Sequence, residues 1–232
     1  MKWLYLALDL GSLSVPFIFS FHPKIKFYKK FSAFFPALFI GAGVYLAWDV
    51  YFTTNGFWGF NERYLLGLKF MSLPLEEWLF FLCIPFACVF THSTLTTIYP
   101  SMRFGEPANL WITAGLVLGL TILALFNTDK AYTLTNSILT ALILASTYIY
   151  RPSILSQFYY TFLVMLIPFF FVNGILTGSF IYQEVVWYND LENLGIRLFT
   201  IPIEDPIYAL GLILLCILLT DVFSPKPSPD LT

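Results

Sequence analysis

Charge is scarce in this chain. Only 11% of its 232 residues are Asp, Glu, Lys or Arg, against about 25% in an ordinary soluble domain. A net charge of -2 offers no basic field, so nucleic acid is excluded as a partner. Histidine is reduced to His22 and His92, and no cluster of metal ligands is visible. No glycine-rich dinucleotide fingerprint follows a strand pattern. There is no aspartate-rich DDxxD stretch of the kind that holds magnesium against a diphosphate. The last apolar run carries no lysine, which excludes a retinal Schiff base there. The three cysteines, Cys83, Cys88 and Cys216, lie inside apolar runs and read as buried thiols rather than a disulfide framework.

Apolar residues fill the space that charge leaves. Hydrophobic side chains make up 58% of the chain and aromatic ones 20%, and the mean hydropathy is +0.76. Several apolar runs approach the 20 or so residues that a helix needs to cross a bilayer. The expected fold is therefore an all-α, polytopic membrane bundle of about seven helices, at roughly 3–21, 33–52, 74–95, 108–126, 131–150, 155–180 and 203–222. Lys2 before an apolar stretch has the look of a leader. No small-residue cleavage site follows, so the segment is read as the first span. Asp9 is unusual at membrane depth, and Asp49 lies near the end of the second run. The segment 53–72 mixes Phe57, Trp58 and Phe60 with polar residues, as expected of chain at the interface or folded back into the bundle. Pro74 suits a first helical position, and Pro85 should kink the third span. Gly115 and Gly119 in the fourth give a weak small-residue packing signal.

The chain repeats itself. Asn61, Leu66, Gly67, Pro74 and Glu76 recur 128 positions later as Asn189, Leu194, Gly195, Pro202 and Glu204. Glu62 becomes Asp190, Lys69 becomes Arg197, Ser72 becomes Thr200 and Glu77 becomes Asp205. Polar residues held in register mark a true internal repeat. We divide the chain into a first repeat of three spans (1–95), a connector with the fourth span (96–130), a second repeat (131–223) and a tail (224–232) expected to be disordered. Advancing by four spans restores the direction through the membrane, so the repeats are parallel and both acid motifs should reach one face. Five basic residues (Lys2, Arg63, Lys69, Lys130, Arg197) fall on that face and seven on the other, which leaves orientation nearly undecided.

Glu76, Glu77, Glu204 and Asp205 stand at the mouths of apolar helices, where ionisable groups are costly and point to function. Paired carboxyls in an apolar site offer a general acid beside a base. Dipole partners at a helix start are the plainer explanation for any one of them, and Asp205 before Pro206 has the form of an N-cap. Asn61 and Asn189 read more readily as loop caps than as site residues. Lys69 and Arg197 are carboxylate partners or interfacial anchors. Aromatic rings are available to a cationic intermediate.

The stretch Pro-Leu-Glu-Glu-Trp-Leu-Phe-Phe at 74–81 and Pro-Ile-Glu-Asp-Pro at 202–206 resemble the small integral-membrane lycopene cyclases, and the likeness spans nearly the whole chain. In that family two short subunits act together or are fused, and this sequence is similar to the fused form. The resemblance implies that a carboxylic acid protonates the linear ψ end of lycopene. A neighbouring double bond then closes a six-membered ring, and proton loss leaves a β ring, as in γ- and β-carotene. No electrons are transferred, so no cofactor is required. The family motif falls on Glu76, Glu77, Glu204 and Asp205, with Asn61, Asn189, Lys69, Arg197 and Trp78 as candidate substrate-binding or supporting residues. Pro206 stands where the first repeat has Trp78 and breaks the symmetry. The substrate is expected from the lipid phase through a lateral opening. The implied location is the cell membrane, in contact with lipid, and a homo-oligomer is compatible. Loss of ring formation is expected in Glu76→Gln and Glu204→Gln. Two other readings stay open: a proton-coupled transporter, which would leave pigment unchanged, and a carotenoid ψ-end hydratase, whose product would be heavier by one water.

Overall fold

The structure is a computed structural model that describes residues 1–225; the part of the expected disordered tail at 226–232 lies outside the described residues. Among the described residues seven α-helices form: α1 (Leu4–Phe19), α2 (Phe31–Thr54), α3 (Leu75–Ile98), α4 (Glu106–Phe126), α5 (Ala131–Tyr150), α6 (Pro152–Leu176) and α7 (Glu204–Phe223). Six are long and apolar enough to cross a membrane. The exception is α1, whose 16 residues rise only about 24 Å at 1.5 Å each, short of a hydrocarbon core about 30 Å thick. Large side chains such as Leu118, Leu142, Ile167 and Phe171 stand more than half exposed around the bundle. In water, apolar belts of this kind do not stay uncovered.

Three small hairpins or ribbons join the helices on one side. The first strand, β1 (Trp58–Phe60), pairs antiparallel with β4 (Val186–Tyr188). One lies between α2 and α3 and the other between α6 and α7, so this pairing ties the two loops of the repeats together at one end of the bundle. Gly59 faces Trp187, and a Cβ at Gly59 would collide with the indole. Between them lie β2 (Lys69–Phe70) with β3 (Leu73–Pro74), and β5 (Arg197–Leu198) with β6 (Ile201–Pro202). The register repeats, Lys69 opposite Pro74 and Arg197 opposite Pro202.

Helix packing follows the same symmetry. α1 packs on α3 as α5 packs on α7, and the middle helix of each repeat crosses over, α2 to α7 and α6 to α3. The acid-bearing helices α3 and α7 also touch each other at the centre. α4 packs on α5 and α6 and is the least buried span.

Several local expectations change. Pro74 belongs to the hairpin and caps α3 in an extended conformation rather than opening the helix. Asp205 is not an N-cap: α7 already begins at Glu204, and Asp205 turns inward. The kink expected at Pro85 does not end α3, which carries the proline inside it. Gly115 and Gly119 meet no neighbour, because nothing lies within 4 Å of a Cβ built on either. Their small size serves no contact among the described residues.

Candidate active site

The repeated polar motif is first of all a way of folding a loop. The Asn61 side chain accepts from the backbone N–H of Arg63, and Asn189 from that of Leu191, both at 3.1 Å. Glu62 pairs with Lys69 at 2.8 Å and Asp190 with Arg197 at 2.6 Å. Lys69 and Arg197 are thus carboxylate partners, but of the acids within their own loops. Because Lys69 donates to it, the exposed Glu62 carboxyl is held below the usual range. Gly67 and Gly195 take the positive φ values +92° and +68°, a backbone conformation that glycine adopts without Cβ strain. Trp78 donates its indole N–H to Phe70 O at 3.1 Å and packs at a tilt against the Phe70 ring, clamping the first hairpin to α3.

Glu76 and Glu204 complete this loop. Oε1 of Glu76 accepts the Leu66 N–H at 2.6 Å, and Oε1 of Glu204 accepts the Leu194 N–H at 2.8 Å. Both carboxyls are fully buried, and the Oε2 of each has no hydrogen-bond partner among the described residues. Thr133 donates a second bond to Glu204, at 2.7 Å. Neither glutamate lines the large cavity of the bundle. Each is turned back toward the turn that precedes it.

The next residue along faces the other way. Glu77 and Asp205 both line a cavity of about 250 Å³ between the two repeats. Tyr5 of α1 donates its phenol to Glu77 Oε2 at 2.5 Å. Asp205 receives three donors: Tyr132 of α5 on Oδ1 at 2.8 Å, Asn173 of α6 on Oδ2 at 2.7 Å, and Tyr188 of β4 on Oδ2 at 3.1 Å. Burial and the adjacent Asp205 push the Tyr188 phenol well above its ordinary range, so it stays a donor. Beyond the carboxyls the walls are apolar, with Phe80, Ile84 and Ala87 of α3, Met165 and Phe169 of α6, and Leu212 of α7.

A third acid joins them. Asp49, near the end of α2, lines the same cavity beside Glu77. Trp58 of β1 donates to its Oδ1 at 2.5 Å, Thr53 adds a longer bond at 3.3 Å, and Oδ2 has no partner among the described residues. Aromatic rings enclose this end: Trp48, Trp58, Tyr132, Tyr188 and Tyr208 form a cluster of stacked, tilted and edge-on pairs at centroid separations of 4.9–6.3 Å.

Asp49 was visible in the sequence as an acid at the end of an apolar run, the same signal that marked the motif. Its counterpart 128 residues later is Thr177, so the repeat did not single it out. Asn173 is a lone amide after three phenylalanines and carried a similar signal. Tyr5, Tyr132, Tyr188 and Trp58 had none, since aromatic residues are everywhere in the chain. Asp9, fully buried in α1 with no hydrogen-bond partner for either oxygen among the described residues, lies outside the cavity.

These acids in an apolar cavity, at the one end where both repeats meet, offer proton donors and acceptors to a hydrocarbon. No curated protein and no solved structure matches the chain. A family model described as lycopene cyclase matches twice, over residues 2–95 and 129–223. The two matches cover both acid motifs and leave out the connector with α4, and they identify the chain as a member of the lycopene cyclase family in its two-repeat, fused form.

Proposed function

We propose that the protein is a lycopene β-cyclase of the cell membrane, an intramolecular isomerase that closes β rings at the linear ψ ends of lycopene without redox chemistry. One observation carries this reading: Glu77 and Asp205, one acid from each repeat, share an apolar cavity.

Roles follow from the partners of each group. Asp205 accepts from three donors, and donors stabilise a carboxylate. It is the base and cation stabiliser. Glu77 has one donor and lies beside Asp49. Two like charges in a low-dielectric site repel strongly, so this pair holds a proton between its carboxyls. Glu77 delivers that proton to the terminal double bond of the ψ end. The tertiary cation so formed is attacked by the π pair of the next suitably placed double bond, which closes the six-membered ring. The ring cation loses one proton to Asp205, leaving the β double bond. One proton is added and one removed, so product and substrate are isomers. The faces of Trp58, Tyr132, Tyr188 and Tyr208 supply negative potential to the cations, worth up to about 2 kcal/mol or more when desolvated.

The test is pigment extraction from a lycopene-making host that expresses the chain. Ring-bearing carotenes isomeric with lycopene are expected from the parent protein, and unchanged lycopene from Glu77→Gln and Asp205→Asn at equal protein level. Cyclised product at parental yield in both variants removes this mechanism, and a product heavier by one water replaces it with hydration.

A further inference from the structure

The repeat gives two acid-bearing helices, each flanked by a first helix of its own repeat and a middle helix of the other. Symmetry alone would make two slots, one along α3 and one along α7. The two are not alike.

Along α7 the cavity reaches Asp205, Tyr208 and Leu212, but the slot is shut beyond them, where Leu215, Cys216 and Leu219 do not line it. α2 meets α7 over a longer stretch than α6 meets α3. Gly41 of α2 sits so close to Cys216 that an added Cβ would lie 2.7 Å from its sulfur, and Gly211 of α7 sits against Tyr45 and Thr140. Cys216 is wholly buried. Along α3 the equivalent positions differ. Where α2 has Gly41, α6 has Phe169, and where α2 has Tyr45, α6 has Asn173. A phenylalanine in place of glycine forbids the close helix approach, and Phe169 lines the cavity instead. Phe80, Ile84, Ala87, Cys88 and Thr91 form a half-exposed stripe at helical spacing on α3, and all of them line the cavity.

The walls beside this stripe are α1, through Ser12 and Pro16, and α6. Both pack on α3, yet contact between α1 and α6 is marginal at most. From Glu77 to Thr91 the stripe runs about 21 Å at 1.5 Å per residue, two thirds of a hydrocarbon core of about 30 Å. The cavity of about 250 Å³ is below the roughly 300–1,000 Å³ of pockets that enclose a drug-sized ligand. It takes one end of a C40 chain and leaves the remainder outside.

We propose that the protein has one polyene-binding slot, not two, entered from the lipid between α1 and α6, with both motif acids serving its inner end. Lycopene therefore presents one end per visit. A doubly cyclised product requires the singly cyclised carotene to leave, turn and enter again. The identity of the occupant rests on the cyclase reading; the number of slots does not.

The test uses the full chain carrying Glu77→Gln, purified from lycopene-making cells, with retained lycopene measured by absorbance per chain. About one lycopene per chain is expected. Adding Ala87→Trp or Ile84→Trp, which fill the stripe, lowers retention at least fivefold. Adding Leu219→Trp, the α7 counterpart of Thr91, leaves it unchanged. Two lycopenes per chain, undiminished retention with both stripe variants, or none retained at all overturns the proposal. If the parent protein leaves lycopene uncyclised while this retention pattern holds, the slot stands and the cyclase reading falls. If ring formation is normal and Ala87→Trp in the otherwise parental chain forms as much product, the reverse is true.

Discussion

Glu76 and Glu77 are adjacent in α3 and serve different sides of it. Glu76 reaches back to the Leu66 N–H at 2.6 Å and closes the loop, whereas Glu77 lines the cavity and takes the Tyr5 phenol at 2.5 Å. A helix turns by about 100° per residue, so two neighbours cannot share one direction. The second repeat divides the work in the same way between Glu204 and Asp205.

This division separates the variants. Glu77→Gln and Asp205→Asn are expected to lower ring formation by at least the 10²–10⁴-fold typical of a lost general acid or base, about 3–5 kcal/mol of barrier. Glu76→Gln keeps an acceptor for Leu66 and is expected to stay within about tenfold of the parent. Glu76→Ala strands that N–H, costing about 1–3 kcal/mol of stability, read as a lower unfolding midpoint in detergent. Initial rates in proteoliposomes and a thermal scan check both.

Asp49→Asn is expected to slow cyclisation by about tenfold or more while the protein still accumulates, because an amide keeps an acceptor for Trp58 but takes away the acid beside Glu77. An unchanged initial rate in proteoliposomes excludes Asp49 from the proton inventory.

Asn173→Leu removes one of three donors from Asp205. Ring formation should fall several-fold while Asn173→Gln restores part of it, a split that mere packing damage does not produce. Pigment ratios at matched expression decide between the two.

The loop ion pairs are exposed or half-exposed, and such pairs contribute only about 0–1 kcal/mol. Lys69→Ala and Arg197→Ala are therefore expected to leave cyclisation unchanged within about twofold. Gly211→Ala, by contrast, forces a Cβ to 2.5 Å from the Tyr45 hydroxyl, and overpacking of this kind costs about 1–3 kcal/mol. Midpoints from thermal scans of the three variants rank them.

The amino-acid sequence by itself determined the helices, the repeat and the common end of the two acid motifs. Apolar run length sets the spans, with errors of a few residues at their ends, and the 128-residue register carries the symmetry. The pairing of β1 with β4 places both motifs at one end, as the parallel repeat required. Tertiary structure alone decided which acid of each pair enters the cavity, because Glu76 and Glu77 are chemically the same and differ only in rotation about the helix. It also brought Asp49, Tyr5, Tyr132, Asn173 and Tyr188 to those acids from five separate elements. And it left only one of two equivalent slots open, because a helix with Gly41 at its contact closes on its neighbour and a helix with Phe169 there does not.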